Sequence, residues 1–255
     1  MTAPDFGLSN RIALVTGSSA GIGNAFAGAL AAAGATVVMN GRDRDRLEAA
    51  VDTMRADGAR VHGRDFDVAD RQAAAKAVAA IEASIGPIDI LVNNAGIARR
   101  RPFLEMSDDD WDVVLEVNLT SAFHVSRSVV PSMIDRGHGR IINTCSLMSS
   151  IARRDNANYA AAKGGLAMLT KELAVELGAY GITVNGIAPG YIDTPLAAPL
   201  IGDPEFNAWV VGRTPARRWG SVDDLRGAVV FLASDAARFV TGQILYVDGG
   251  FTASM

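Results

Sequence analysis

Short runs rich in aliphatic and β-branched residues alternate with Ala-rich, helix-periodic segments from one end of the chain to the other. The runs predict strands at about 12–16, 36–40, 61–66, 89–93, 140–145, 182–187 and 243–247. Between them lie helical patterns near 21–33, 43–57, 70–85, 108–136, 157–180 and 223–234, with a short helix after Asp203. Such alternation is the signature of βαβ units and of a parallel sheet covered on both faces. Start signals support several helices: Ser107 with Asp110, Asp203 followed by Pro204, and Ser221 with Asp224. The stretch from Ala188 to Arg218, rich in Pro and Gly, is the only irregular region large enough to form a substrate loop or lid.

Composition changes this picture little. With 255 residues, 49% of them hydrophobic, the chain can bury a sizeable core, and residues 1–255 are expected to form one domain. A net charge of −4 with dispersed charges gives no footprint for nucleic acid. Residues Ile12 to Gly41 carry no charge, yet Thr16-Gly17-Ser18-Ser19 and Gly34 divide them into strand, loop, helix and strand, so no membrane span is expected. Residues Met1 to Asp5 lack a basic region leading into an apolar core, which argues against a secretion signal. The single cysteine, Cys145, lies in an apolar strand run and is expected to be a buried small hydrophobe; a cytoplasmic location follows as the expectation. His62, His124 and His138 have no ligand-like spacing, so no metal is expected.

The chemistry begins where the first strand runs into Thr16-Gly17-Ser18-Ser19-Ala20-Gly21-Ile22-Gly23 and then a helix. Glycines permit a tight turn and close approach of backbone to a pyrophosphate, and the helix N-terminus offers free N–H groups. The spacing is G-x-x-x-G-x-G, which differs from the common G-x-G-x-x-G fingerprint. At the end of the second strand, where an acidic residue would bind adenosine ribose hydroxyls, stand Asn40 and, close behind, Arg42. An arginine there suits a 2′-phosphate, which favours NADP(H) and leaves NAD(H) as the alternative. Asp43 reads as the cap of the next helix, and Ala20 offers no second basic group.

Tyr159 and Lys163 stand four apart on a predicted helix and so share a face, where an ammonium can favour the ionised phenol. On its own the spacing is weak, since four Tyr and three Lys would give it by chance in roughly one such sequence in twenty. It is strengthened by the other motifs present in order: Asn93-Asn94-Ala95-Gly96, Asn118, Ser146 and Pro189-Gly190. Together with the glycine turn, these make the chain resemble the classical short-chain dehydrogenase/reductases from Leu8 to Gly250.

That resemblance implies a single doubly wound Rossmann-type α/β domain, a nicotinamide cofactor and a homotetramer in which the last strand and the helices near 108–136 and 157–180 meet their symmetry mates. It implies that Tyr159 is the acid/base, that Lys163 lowers its pKa and holds the nicotinamide ribose, that Ser146 hydrogen-bonds the reacting oxygen, and that Asn118 positions a relay water. Cofactor contacts are implied for Gly17, Ser19, Gly21, Ile22, Gly23, Asn40 and Arg42. Asp67 and Val68 would meet adenine, and Asn94, Ala95 and Gly96 the ribose and nearby backbone. Pro189, Gly190, Ile192 and Thr194 would lie at the nicotinamide end; Thr194 reads equally well as a helix cap.

A finer resemblance, carried by Asn40-Gly41-Arg42-Asp43, Ile97-Ala98-Arg99-Arg100-Arg101-Pro102, Ser146-Leu147-Met148-Ser149 and Asp203-Pro204-Glu205-Phe206 with Arg213 to Gly220, is to the gluconate 5-dehydrogenase branch. It implies reversible hydride transfer between the cofactor and a sugar acid such as 5-ketogluconate. An anionic substrate wants an arginine fork, and Arg99, Arg153 and Arg154 are the candidates beside Ser146 and Tyr159. Each of the three reads equally as a solvated loop charge or an interface pair. A 3-oxoacyl-carrier-protein reductase shares the same catalytic set and is the alternative, and a catalytically silent dinucleotide-binding protein is a further one.

Overall fold

Odd and even residues of each central strand face opposite sides, and both sides are apolar. Ala13, Val15, Val37, Met39, Ile90, Val92 and Ile142 enter one core. Their neighbours Leu14, Val38, Leu91 and Ile141 enter another. A strand that is apolar on both faces must be covered twice, which makes one central sheet with helices on each side.

A computed structural model, describing residues 5–254, shows this arrangement. The reading of residues 1–4 lies outside the described residues. The strands are β1 (Ile12–Val15), β2 (Thr36–Gly41), β3 (Val61–Asp65), β4 (Ile90–Asn93), β5 (Gly139–Thr144), β6 (Ile182–Pro189) and β7 (Ile244–Val247). They form one seven-stranded sheet in the order β3-β2-β1-β4-β5-β6-β7, parallel throughout. The chain turns back on itself between β1 and β4, and in such sheets the crevice for ligands opens at the C-terminal ends of those strands.

The helices are α1 (Gly21–Ala32), α2 (Arg44–Ala56), α3 (Arg71–Ser84), α4 (Asp108–Leu115), α5 (Ser121–Arg136), α6 (Ala157–Leu177), α7 (Ala198–Ile201), α8 (Pro204–Arg213) and α9 (Arg226–Ala233). Their caps are those the sequence advertises. Ser107 Oγ accepts from Asp110 N–H at 3.1 Å, Asp203 Oδ1 accepts from Glu205 and Phe206, and Asp224 Oδ2 accepts from Ser221 N–H at 2.7 Å. Asp43 Oδ1 caps α2 through Arg46 N–H at 3.0 Å.

Two regions differ from expectation. The helix expected over 108–136 is interrupted by one wide π turn, Glu116–Thr120, which contains Asn118. The stretch 188–218 is less irregular than its composition suggests, because β6 continues to Pro189 and α7 and α8 occupy much of the rest. Cys145 is buried among Ala122, Leu166 and Ala188, and burial holds its thiol above the ordinary pKa. Among the described residues no helix is long and apolar enough to cross a membrane.

Candidate active site

A cavity of about 780 Å³ opens over the C-terminal ends of β1, β2 and β4. Gly17, Ser19, Gly21, Ile22 and Gly23 line it from the first turn, with Asn40, Arg42, Asp67, Val68, Asn94, Ala95 and Gly96 beside them. Tyr159, Lys163 and Thr194 close its far end. A second cleft of about 150 Å³ adjoins it and is lined by Ser146, Tyr159, Pro189, Gly190, Ile192 and Thr194. Tyr159 and Thr194 belong to both walls, so the two spaces form one path. The Thr194 side chain makes no cap to α7, whose N-cap is Ala197.

The first turn suits a diphosphate. Gly17 has φ +60°, and a Cβ there would lie 2.7 Å from Ala95 Cα, so only glycine permits this approach. At Gly21 a Cβ would meet nothing, because the space in front is open cavity. Helix α1 has neither a side-chain cap nor an acidic residue in its first turn. Its leading N–H groups therefore border the cavity without a side-chain acceptor of their own.

The expected asparagines brace the loops of the site, and Asn40 and Asn94 also line the cavity. Asn40 is buried; its Nδ2 donates to Arg64 and Phe66 carbonyls, and its Oδ1 accepts from Gly17 N–H at 3.2 Å. Asn94 Nδ2 donates to the carbonyls of Thr16 and Gly17, and its Oδ1 accepts from Thr144 Oγ1. Asn118 Oδ1 accepts from Ile97 N–H and its Nδ2 donates to Ile97 O, each at 2.8 Å. Each carboxamide thus locks one cavity loop to its neighbour, and what Asn40 contributes to the cofactor end is an uncharged wall.

Charge at that end comes from Arg42, whose Nη1 lies 3.5 Å from Asp67 Oδ2, and from Arg46, which also lines the cavity. Arg46, in the first turn of α2 just past the end of β2, supplies the second basic group that Ala20 does not.

Around the tyrosine the packing is tight. Asn158 is fully buried; it donates to the carbonyls of Arg99 and Asp110 and accepts from Tyr159 N–H at 2.7 Å, pinning the start of α6. Lys163 is 3% exposed, its Nζ donates to Thr144 O at 2.6 Å, and it lies 5.7 Å from the centre of the Tyr159 ring. Ser146 Oγ accepts from Met148 N–H at 3.2 Å, and Ser149 Oγ bonds Lys163 O at 2.9 Å, so the end of β5 is tied to α6.

The arginine assignments need correction. Arg99 lines neither space; its Nη1 pairs with Asp110 Oδ1 at 3.2 Å. Arg154 lines neither as well. Arg153 does line the cleft, its guanidinium 5.0 Å from the Phe206 ring centre, and the second arginine beside it is Arg100. Among the described residues neither has a carboxylate partner, and burial, then the charge of Arg153, lowers the Arg100 pKa. The irregular segment 97–102 has no periodicity from which to read which arginine turns inward. Tyr191 and Trp219 supply the aromatic side of the cleft.

A family model described as enoyl-(acyl carrier protein) reductase matches residues 17–252. The chain is 48% identical over 256 residues to the gluconate 5-dehydrogenase of Gluconobacter oxydans (strain 621H), covering all of both. It is 44% identical to the 5-keto-D-gluconate 5-reductase of Escherichia coli (strain K12), over 98% of each. Among solved structures, a gluconate 5-dehydrogenase from Burkholderia cenocepacia J2315 in complex with NADP and tartrate superposes with a TM-score of 0.96 at 47% identity, over 98% of both chains.

Proposed function

The chain belongs to the short-chain dehydrogenase/reductase family, and from that premise we propose that it interconverts 5-ketogluconate and gluconate with NADP(H). The observation that carries the substrate reading is the pair of guanidinium groups, Arg100 and Arg153, in the cleft that holds Ser146 and Tyr159. Two cations without carboxylate partners in a half-buried space favour an anion that brings its own charge.

When bound, the nicotinamide supplies or accepts the hydride. The first turn and the N-terminus of α1 would hold the diphosphate, and Arg42 with Arg46 would favour a 2′-phosphate. Asp67 and Val68 would meet the adenine, and Lys163 and Thr194 the nicotinamide end. Pro189, Gly190 and Ile192 wall the adjoining cleft. Tyr159 gives its proton to the substrate oxygen in reduction and takes it back in oxidation, while Ser146 donates to the same oxygen. Lys163, its Nζ donating to Thr144 O, stands 5.7 Å from the centre of the Tyr159 ring and orders that side of the site. Both amide atoms of Asn118 are engaged by Ile97, so its part in a water relay falls to the main chain of the π turn.

The same reading treats residues 1–255 as one domain with 188–218 as the substrate loop, acting in the cytoplasm as a homotetramer. Exposed Phe123 on α5, Met168 and Val175 on α6, and Leu245 on β7 support such interfaces, and sedimentation of the purified chain tests them. The activity test is NADPH oxidation with 5-ketogluconate against a neutral ketone and an acetoacetyl thioester. Turnover of the keto acid well above both is expected; equal or better turnover of the thioester would make the chain an oxoacyl reductase instead.

A further inference from the structure

The site's asparagines are loop locks, and one asparagine is left over. Asn40, Asn94, Asn118 and Asn158 each engage both ends of the carboxamide within the chain. Asn156 does not. It is 5% exposed, it lines the substrate cleft, and it sits at the N-cap position of α6. An asparagine there ordinarily accepts from an N–H of the first turn. This one makes no such bond, and its Oδ1 is buried without a partner. Whichever way the amide is turned, one of its polar atoms occupies that position.

The location matters. Among the described residues, the buried side-chain atoms lacking any partner belong to Asn93, Arg100, Arg140, Asn156 and Thr183. Two of them, Arg100 Nε and Asn156 Oδ1, belong to residues of one cleft wall, and they are a donor and an acceptor. Leaving such a group unsatisfied is costly, and an apolar residue of similar shape would avoid that cost. Asn156 also stands three residues before Tyr159, one helical turn away on the same face.

We propose that Asn156 is a specificity residue that accepts a hydrogen bond from a substrate hydroxyl on a carbon flanking the reacting carbonyl, while Arg100 receives the carboxylate. This rests on the polyhydroxy-acid reading above and deepens it. A wall built to bond a hydroxyl rejects the analogue lacking it, whereas an apolar wall discriminates weakly. The cleft therefore selects hydroxylated keto acids over plain acyl ketones.

The test is steady-state kinetics at saturating NADPH with 5-ketogluconate and its 4-deoxy and 6-deoxy analogues, using the wild-type enzyme, Asn156→Leu, Asn156→Ala and Asn156→Ser. The wild type is expected to lose roughly 10- to 100-fold in kcat/KM on one deoxy analogue. Asn156→Leu and Asn156→Ala should lose about as much on 5-ketogluconate, mostly through KM, yet treat that analogue and 5-ketogluconate alike. Asn156→Ser should recover part of the difference. A wild type that turns over both deoxy analogues within twofold of 5-ketogluconate overturns the role of Asn156 and leaves the substrate reading standing. Equal losses of the variants on hydroxylated and deoxygenated substrates overturn it too, because they mark a structural defect. No reduction of 5-ketogluconate by the wild type overturns both readings. The wild-type comparison decides even if a variant does not fold.

Discussion

The two ends of the sheet use arginine in opposite ways. At the N-terminal ends of the strands, Arg136 Nη1 lies 2.6 Å from Asp89 Oδ1 and Arg140 Nη2 lies 3.0 Å from Asp235 Oδ1, with Arg11 within 3.9 Å of both aspartates. Asp89 Oδ2 also accepts from Ile12 N–H at 2.9 Å, so the same carboxylate ties β1 to β4. At the C-terminal ends Arg100 and Arg153 face a cleft with no carboxylate partner among the described residues, and asparagines brace the loops. Asparagines lock loops without adding charge, which leaves the field to the arginines and to whatever anion enters. Matched charges close one end; at the other, Asp67 and Asp110 match Arg42 and Arg99, and Arg100 and Arg153 are the guanidinium groups that line the cleft.

The largest effect should come from the reacting group itself. Tyr159→Phe removes the transferable proton and keeps the ring, so kcat/KM should fall roughly 1,000-fold with cofactor binding and melting temperature nearly unchanged. At the closed end the opposite split is expected. Asp89→Ala strands Arg136 and the Ile12 N–H, and should cost about 3 kcal/mol in urea unfolding while kcat/KM stays within twofold. A matching loss of activity in Asp89→Ala would break the division between the two ends.

The neighbouring arginines sharpen it. Arg100→Met should raise KM for a keto acid about 10- to 100-fold and leave a neutral ketone untouched. Arg99→Ala should change neither, since Arg99 is matched by Asp110. If Arg99→Ala carries the larger effect, the assignment of the anion site is wrong. Smaller still, Arg42→Ala and Arg46→Ala should each raise KM for NADPH about tenfold and spare NADH.

The strands were legible because apolar residues on both faces leave only one architecture, and β1 to β7 fall within two residues of their expected bounds. The π turn at Asn118 was not, because a single widened turn leaves the apolar periodicity of 108–136 almost unchanged. That Arg100 and not Arg99 lines the cleft was not legible, because the loop between β4 and α4 has no period from which to infer direction. The place of Arg46 was not legible either, because it depends on the first turn of α2 lying over the same cavity as the end of β2. Asn40 was read for its charge, and its role as a tie between Gly17 and the end of β3 required knowing that β2 lies between β1 and β3.

The smallest predicted effect probes the closed end by pH. His138, just before β5, is half-buried; burial first, then Arg140 and Arg11, lowers its pKa to about 4, while Asp89 and Asp235 pull the other way. The unfolded chain takes up this proton near pH 6.5 and the folded chain only near pH 4. The neutral imidazole therefore belongs to the native state, its contribution is whole above pH 6.5, and stability declines as pH falls from 6.5 towards 4. With solvent screening allowed for, the loss should be on the order of 1 kcal/mol. Urea midpoints measured at pH 7.5, 6 and 5 should show this component in the wild type and lack it in His138→Gln. The pH profile of kcat/KM should be the same for both proteins, because the proton that moves in catalysis sits on Tyr159 at the other end of the strands.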